Sequence, residues 1–466
     1  MYTKTKIINK FKSTIKKHDL IRENDTIIVG ASGGPDSQFL IYLLKEVKDF
    51  YKINIVLAHL NHMHRDDATN DENLVIKTGK ILSFETFVER KSMDSFAKEN
   101  KISSEHAGRI LRYEFFRSIK NKYKNPKIAV AHNKDDQAET VLMRIIRGSG
   151  LDGLRAMDYK NKDVIRPIMD FSKSEILEFL DEFKIPYHID YTNLETDYTR
   201  NKIRPEIIPE IEKINPNFKN SLVSLSEIAK NDYDILREIE DKKLEKIIIK
   251  KEKNHLSFDK NKFEAISNPL KARLIRRAIE ILYGNINDFS KTNIEDFIKI
   301  SSLSNGKKII KDDFVLEKNY RSYDFYIKSE KSIEKSEEIY MKTNDEKKFG
   351  KYKFKTSLVS YDYYKNSSKM NKVFYSFENL DEISIKIRYR LNGDYFTAMK
   401  NGKRKKLKNF FIDEKIDKNL RDQIPLLFIN DKLSWIVNLR RSEDFKVNKN
   451  DENILMVSVE EIWKLI

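Results

Sequence analysis

The chain reads as an α/β protein: a doubly wound, mostly parallel sheet, followed by a helical domain and a small α+β C-terminal domain. Three observations predict this. An apolar, β-branched run, Ile27 to Val29, enters a small-residue loop from Gly30 to Gly34 and leaves it as a helix that Pro35 begins. Strand and helix patterns then alternate over roughly the first 200 residues, as βαβ units do. Near Asn215 the alternation stops. The expected domains are 1–215, 216–330 and 331–466.

Residues 1–20, MYTKTKIINKFKSTIKKHDL, are too polar for a secretory signal and have the spacing of an amphipathic helix. After the glycine loop, 38–44 takes up helical spacing. Further strands are expected over 53–60, 84–88 and 127–132, with helices over 92–119 and 135–147. Parallel sheets bind ligands at the carboxyl ends of their strands, so the loop, His59 and His132 should share one rim. Residues 216–300 are almost free of glycine and helical in period, with Leu222, Leu225, Ile228, Ile235 and Leu236 as the apolar stripe. Beyond Asp312 come short β-like runs, a charged segment over 331–348 that reads as an exposed linker, a strand over 383–389 and a last apolar stretch over 424–437.

The 466 residues are enough for several domains and a sizeable core. A charged fraction of 35% and a mean hydropathy of −0.63 describe a soluble chain, and no apolar run approaches the ~18 residues of a membrane span. A cytoplasmic location is the expectation. The absence of cysteine excludes disulfides, thiolate zinc sites, iron–sulfur clusters and a cysteine nucleophile. The net charge of +16 suggests a polyanionic partner, although lysine-rich composition alone could produce it. Clustering decides: between Lys386 and Lys408 nine basic residues face one acidic residue, interleaved with Tyr389, Tyr395 and Phe396. Basic charge among aromatics suits an RNA backbone with unstacked bases, so Arg388, Arg390, Lys405, Lys406 and Lys408 are candidate RNA contacts.

In the loop, Gly33 and Gly34 let the backbone turn and aim its N–H groups outward, and the helix start behind them adds partial positive charge. Ser32, Asp36 and Ser37 add polar groups, so the loop is read as a phosphate site. It lacks the Lys-Ser/Thr pair of a Walker loop and the three spaced glycines of a dinucleotide fingerprint. A second constellation, Ala131 to Thr140 (AHNKDDQAET), puts Asp135, Asp136 and Glu139 on one helix face behind a strand-end histidine. Capping explains one such acid; three suggest a pocket for Mg²⁺ or a cationic substrate group. Arg144 and Arg147 beside Gly148, Gly150 and Gly153 suit a loop closing over a phosphate or nucleotide, and equally a C-cap with solvated arginines. Arg109 and Arg112 lie three apart on one helix and could pair with a triphosphate or a carboxylate. The alternating His59, His62 and His64 have no cysteine or paired acid nearby for zinc. Contacts from His59 and Asn61 to adenine or RNA fit better.

The run Ser32-Gly33-Gly34-Pro35-Asp36-Ser37 resembles the pyrophosphate loop of the ATP pyrophosphatases, which adenylate a carbonyl oxygen. Together with HLNH at 59–62, GRILRY at 108–113, AHNKDDQAET, RIIRGSGLDGL, IRPI, DYTN at 190–193 and TRNKIR at 199–204, it resembles the tRNA(Ile)-lysidine synthases over about the first 205 residues. The segments 386–394 and 405–411 resemble that family's last domain. Asn133 departs from the family pattern, where a second histidine is commoner, and Met63-His64 replaces the usual Gly-Leu.

The resemblance implies ATP, Mg²⁺, free L-lysine and a CAU-anticodon tRNA(Ile) as cofactors and substrates. It implies adenylation of C2 of the wobble cytidine followed by attack of the lysine amine. On this basis Ser32, Gly33, Gly34, Pro35, Asp36, Ser37, His59 and Asn61 would bind ATP, with Asp36 also holding Mg²⁺ or aligning the α-phosphate. Arg112, Asp136 and Glu139 would bind lysine, and Asp36, Asp136 and Arg204 would be catalytic. Arg144, Arg147, Arg388, Arg390, Lys405, Lys406 and Lys408 would bind tRNA. Whether the chain acts as a monomer or a homodimer is left open. The rivals are another modifying enzyme of the superfamily, whose thiolases commonly need cysteines, and a non-catalytic RNA-binding protein.

Overall fold

The structure is a computed structural model that describes residues 4–63, 68–189, 202–284, 286, 289–328, 338–378, 383–397, 404–449 and 451–462. The chain forms two compact units, one up to Arg237 and one from Glu238.

The first unit is built on a six-stranded sheet of order β3-β2-β1-β4-β6-β5, from β1 (Thr26–Gly30), β2 (Asn54–Asn61), β3 (Glu85–Arg90), β4 (Pro126–Ala129), β5 (Lys160–Asn161) and β6 (Val164–Ile165). β1 pairs in parallel with β2 and β4, Ile28 lying opposite Val56 and Ile128; only the short β5 runs antiparallel, against β6. Because side chains alternate along a strand, Ile27, Val29, Ile55 and Leu57 face one layer and Ile28, Val56, Ala58 and Ile128 the other. The first layer comprises α1 (Lys4–Lys17), α2 (Pro35–Tyr51), α3 (Ala68–Leu82) and α8 (Lys173–Glu182), through Phe11, Phe39, Val75 and Phe179. On the second, α5 (Ser104–Lys120) brings Leu111, Phe115 and Phe116. The sheet is thus doubly wound, as expected.

The expected helix over 92–119 is two helices, α4 (Met93–Asn100) and α5. Lys101 takes the left-handed conformation between them, and Ser103 caps the second through the His106 N–H. Strand order reverses direction at β1: α2, which joins it to β2, packs on the first layer, and α5, which leads into β4, packs on the second. Such a switch point opens a crevice at the strand ends, and the loop after β1 and helix α6 (Lys134–Ile146) after β4 border it.

A 30-residue helix, α10 (Phe218–Ile247), follows α7 (Leu151–Leu154) and α9 (Ile208–Ile214), and the unit boundary falls within it. The apolar stripe expected along it is largely solvent-facing. Leu222 is buried, but Ile228 and Ile235 are 58% and 59% exposed. Ser226 and Ala229 take the buried positions instead, Ser226 Oγ accepting from Gln137 Nε2 at 3.3 Å. A polar partner fixes the helix face there, which the apolar spacing did not register.

The second unit begins with helices packed on a five-stranded antiparallel sheet of order β7-β8-β11-β10-β9, formed by β7 (Ile248–Glu252), β8 (His255–Asp259), β9 (Lys307–Lys311), β10 (Phe314–Lys318) and β11 (Ser322–Ile327). The helices are α11 (Lys260–Glu264), α12 (Asn268–Tyr283) and α13 (Lys291–Lys299). β10 and β11 lie in the β-like runs expected beyond Asp312, whereas β7, β8 and β9 are an addition to the mainly helical expectation for 216–330. β7 is an edge strand of sequence IIKKE, charged and mostly exposed, so it carries no strand-like apolar alternation.

Two further antiparallel sheets share one core through Phe354, Tyr375, Ile387 and Leu455. One has order β12-β16-β19-β20-β21, from β12 (Ile339–Met341), β16 (Ile385–Arg388), β19 (Leu426–Ile429), β20 (Lys432–Ile436) and β21 (Arg440–Arg441). The other has order β13-β14-β22-β15, from β13 (Glu346–Phe349), β14 (Tyr352–Val359), β15 (Lys372–Ser376) and β22 (Ile454–Glu461). The expected linker over 331–348 is therefore partly sheet: β12 and the start of β13 lie in it, while 331–337 fall outside the described residues. The short helix α14 (Tyr361–Asn366) joins β14 to β15, and a small pair, β17 (Tyr395–Thr397) and β18 (Arg404–Lys406), leads into α15 (Leu407–Asp413), which α16 (Lys418–Arg421) follows.

Gly30 ends β1 against α5: a Cβ there would stand 2.7 Å from Phe116 Cζ. Phe116 is 2% exposed and cannot swing out, so Gly30→Ala should destabilise the protein by about 2 kcal/mol through overpacking. A urea unfolding midpoint at or above that of the parent would contradict the packing described.

Candidate active site at the strand-end rim

After β1 the chain turns through Ala31 to Gly34, with Gly33 at φ +84°. A side chain there would be strained, and its Cβ would meet Asp71 at 3.2 Å. Ser32 Oγ accepts from the Gly34 N–H at 3.3 Å, and Ser37 Oγ donates to the Gly34 carbonyl at 2.8 Å, so the two hydroxyls fix the loop. Gly34 is the N-cap of α2 and has no side chain to cap it; Pro35 follows without an N–H. The remaining first-turn N–H groups and the positive end of the helix dipole are therefore presented at the rim.

Two more helices start at the same place. α6 begins in a capping box: Asn133 Oδ1 accepts from the Asp136 N–H at 3.0 Å, and Asp136 Oδ2 accepts from the Asn133 N–H at 3.0 Å. α8 begins in a second capping box, between Ser172 and Glu175. The Lys173 N–H donates to Asp135 Oδ2 at 2.8 Å, and the Lys134 N–H to the Phe171 carbonyl at 2.9 Å, which joins the starts of α6 and α8.

Asp36 stands between these helices. Asn133 Nδ2 donates to its Oδ1 at 3.0 Å and Lys173 Nζ to its Oδ2 at 2.7 Å. Asn133, where the sequence departs from the family pattern, is thus the residue that joins Asp36 to the α6 acids. Arg204 lies in a widened, π-helical turn (Ile203–Ile207), and its guanidinium bridges Asp136 and Glu139. Nε donates to Glu139 Oε1 at 2.6 Å, and the second amino group donates to Glu139 Oε2 at 2.9 Å and Asp136 Oδ1 at 3.2 Å. Burial alone would lower the pKa of this guanidinium, but the Glu139 hydrogen bonds and the charges of Asp136 and Asp36 outweigh it and raise the value. Asp135 pairs with Lys219 Nζ at 2.8 Å.

The structure thus brings together Ser32 to Ser37, Asp36, Asp136, Glu139 and Arg204. It also gives the acids an internal cation: Glu139, 2% exposed, is occupied by Arg204. Lys173 and Lys219 were not singled out in the sequence. The signal available for Lys173 was a helix start, SKSE, three residues beyond IRPI; nothing local connected it with Asp36, 137 residues away.

His59 and Asn61 lie at the end of β2, both buried. Asn61 donates to Glu72 Oε2 at 3.0 Å and accepts from the Met63 N–H at 2.9 Å, so its amide braces the chain; Glu72 in turn holds Arg90. His59 Nδ1 hydrogen-bonds the Ala31 carbonyl at 2.8 Å, which places the proton on Nδ1 and leaves the buried Nε2 an acceptor without a partner. Arg112 is exposed on α5, 3.3 Å from His62 Nε2. His64 and residues 190–193 and 199–201 fall outside the described residues.

Among the expected tRNA contacts, Arg147 is exposed at the end of α6, and Lys406 and Lys408 are exposed without a carboxylate partner among the described residues. Others hold the protein itself. Arg144 donates to the carbonyls of Gly153 and Ala156, tying down the glycine loop after α6. Arg388 forms a two-point pair with Asp394 at 2.7 and 2.9 Å and stacks 4.0 Å over Phe428. Arg390 pairs with Asp422, and Lys405 with Asp413. The partners are close in space and hidden in the basic run of the sequence.

The sequence profile of the PP-loop domain matches residues 3–211, and that described as the TilS substrate C-terminal domain matches residues 385–459. The chain is 36% identical to the tRNA(Ile)-lysidine synthase of Clostridium tetani, over 96% of this chain and 97% of that one. It is 34% identical to those of Clostridium acetobutylicum and Clostridioides difficile, each over 97% of this chain and 99% of the relative. The chain belongs to the tRNA(Ile)-lysidine synthase family. Both matched segments agree with the stretches on which the sequence resemblance rested, and the rim described above lies wholly in the PP-loop segment apart from Lys219.

His59 supplies a pH test of this geometry. Burial lowers its pKa below the ordinary 6.5, against the opposing pull of the Ala31 carbonyl, Asp71 and Glu72. Below that value the unfolded chain binds a proton that the folded chain resists, so the contribution of His59 is present at higher pH and lost as pH falls through 6.5. Stability should therefore decline from pH 7.5 to 5.5 by up to about 1.4 kcal/mol per pH unit for this group. His59→Gln should flatten the decline in denaturant midpoint; an unchanged pH dependence would contradict the buried, neutral imidazole.

Proposed function

We infer that this chain ligates lysine to C2 of the wobble cytidine of a CAU-anticodon tRNA(Ile), using ATP. Membership of the family over the full length supports the reaction class. The observation that carries the reading is the convergence of three helix starts, the glycine loop and the Asp36–Asn133–Asp136–Arg204–Glu139 network on one rim.

In this reading the loop 32–37 takes the pyrophosphate portion of ATP through backbone N–H groups and the two serine hydroxyls. His59 Nε2 supplies an acceptor for the adenine amino group or the ribose. The C2 oxygen of the cytidine attacks the α-phosphorus, a P–O bond forms, and pyrophosphate departs. Lys173 sits 2.7 Å from Asp36 and can turn to the phosphates, while Arg204, half exposed and held by Glu139, offers the amino group it does not use on the acids; together they offset the charge that develops. Asp36 keeps lone pairs beyond its two hydrogen bonds and offers a single carboxylate, which fits a Mg²⁺ ion held chiefly by ATP oxygens. When bound, that ion would neutralise phosphate charge. Asp36 would position it or the α-phosphate.

The second step forms the C–N bond: the lysine ε-amine attacks C2, AMP leaves, and one proton must go to a base. Asp136 is the better placed acid, because Glu139 is enclosed with Arg204 whereas Asp136 gives Arg204 only one bond, at 3.2 Å. Glu139 then holds Arg204 in place, and Arg112 takes the lysine carboxylate. The tRNA is gripped by Arg147, Lys406 and Lys408 and by the C-terminal parts of the chain, in keeping with a division into 1–215, 216–330 and 331–466.

Multiple-turnover pyrophosphate release should require both lysine and a CAU-anticodon transcript; release indifferent to both would overturn the reading. Lys173→Met and Asp36→Asn should each lower that rate by at least about 100-fold. Their tRNA dissociation constants in a filter-binding assay should stay within about twofold of the parent, because neither residue is placed on the RNA. Neutralising Lys406 and Lys408 together should weaken tRNA binding and reduce the slope of log K against log salt by about 2. Arg388→Ala should instead lower stability, by about 3 kcal/mol, by leaving Asp394 unpaired. Equal effects of both changes on RNA affinity, with no loss of stability, would contradict the division between surface and structural cations.

A further inference from the structure

A cavity of about 500 Å³ opens in the second unit, with walls from the edge strands β15 and β21 of the two sheets that share a core. Its walls come from 364–374 and 435–447, on either side of the basic run 386–408 and outside it, and its composition is unusual for a structural void. Its lining contains five cations, Lys369, Lys372, Arg440, Arg441 and Lys446, and no Asp or Glu.

Two of the five are accounted for. Arg441 donates to the carbonyls of Phe374, Ser442, Asp444 and Phe445, joining the two sheets, and Lys446 pairs with Glu443. Lys369, Lys372 and Arg440 have no carboxylate partner among the described residues. Lys369 Nζ lies 5.0 Å over the ring of Tyr364, and Lys372 Nζ lies 5.9 Å over that of Tyr363. Like charges gathered without counter-charge repel one another, and an anion would relieve this.

The rest of the wall is apolar and aromatic. Tyr364 meets Phe374 edge to face at 5.2 Å, and Trp435 lies at the floor, 4% exposed. At the mouth, Leu439 is 41% exposed and the neighbouring Met370 79%. A bare phosphate site has no use for these rings and apolar surfaces, and a duplex, with its bases stacked inside, could not reach them. An unstacked base with its phosphate uses both halves: rings and aliphatic groups against the base, cations against the phosphate. The volume suits one such unit.

We propose that this cavity binds one unpaired nucleotide of the RNA substrate, the base against Tyr364, Phe374 and Leu439 and the phosphate among Lys369, Lys372 and Arg440. Three cations without a carboxylate partner, of which Lys372 donates only to the Tyr363 hydroxyl at 3.5 Å, exceed what the single phosphate of a nucleoside monophosphate needs, which favours a strand with successive phosphates over such a free nucleotide. The inference rests on the RNA-modifying reading given above and assigns a subsite to it.

The test uses the full chain and a Lys369→Ala/Arg440→Ala variant, both positions being exposed and unpaired. The probes are a six-nucleotide single-stranded RNA, a duplex of the same sequence, AMP and the CAU-anticodon tRNA transcript. The parent should bind the single strand in preference to the duplex. The variant should bind the single strand and the tRNA about tenfold more weakly, with a log–log salt slope smaller by about 2. A variant that binds both RNAs like the parent, while the parent modifies tRNA, overturns the subsite and leaves the proposed reaction standing. AMP bound as tightly as the hexamer, with tRNA affinity unchanged in the variant, overturns the RNA assignment in favour of a free nucleotide. A parent that binds no tRNA removes the proposed function and this inference together.

Discussion

The rim depends on how its four carboxylates are neutralised. Asp36, Asp135, Asp136 and Glu139 lie at or near the starts of α2 and α6, where like charges would drive each other apart. Lys173, Arg204 and Lys219 each meet one or two of them, and the helix dipoles favour acids in those first turns. Asn133 makes the arrangement a single object: its side chain both closes the α6 capping box and reaches Asp36. Three bases, of which Lys219 is shared with Glu212 at 3.5 Å, do not fully neutralise four acids, so the rim stays net negative beside a glycine loop suited to anions. A surface of that kind accommodates a phosphate and an ammonium group side by side, and a reaction between ATP, a base and an amine needs both.

The same balance explains the placement of Arg204. It would be costly to enclose Glu139, 2% exposed, without a cation, and the guanidinium answers it with two parallel hydrogen bonds. The widened turn at Ile203–Ile207 sets the residue there from a segment 65 positions along the chain. On the proposed reading this arginine is held by one acid so that it can serve the phosphates, while Asp136, more loosely engaged, faces the incoming amine.

What was legible in the sequence was local. The strand–glycine–helix run, the acids on one face of α6 and the alternation of strands and helices are written within ten to twenty neighbouring positions, and each appears in the fold as read. What was not legible depended on distant partners. Lys173 acquires its position only when α8 is laid beside α6. Arg388, Arg390 and Lys405 read as a basic surface because Asp394, Asp422 and Asp413 look unrelated to them in one dimension. The stripe on α10 failed for a related reason, since Ser226, hydrogen-bonded by Gln137, faces inward where the neighbouring Leu225 was expected to. The cavity between β15 and β21 gathers residues from 364 to 447, and no window of sequence contains them together.

The central claim is that ATP activates the RNA base itself on this rim before lysine arrives. It is tested most directly by incubating the protein with ATP and a CAU-anticodon transcript without lysine, digesting the RNA, and locating any added mass by mass spectrometry. The account predicts AMP attached to the wobble cytidine, at most one per tRNA, and its disappearance when lysine is supplied. AMP found on lysine or on the protein, with the cytidine unmodified, would contradict it.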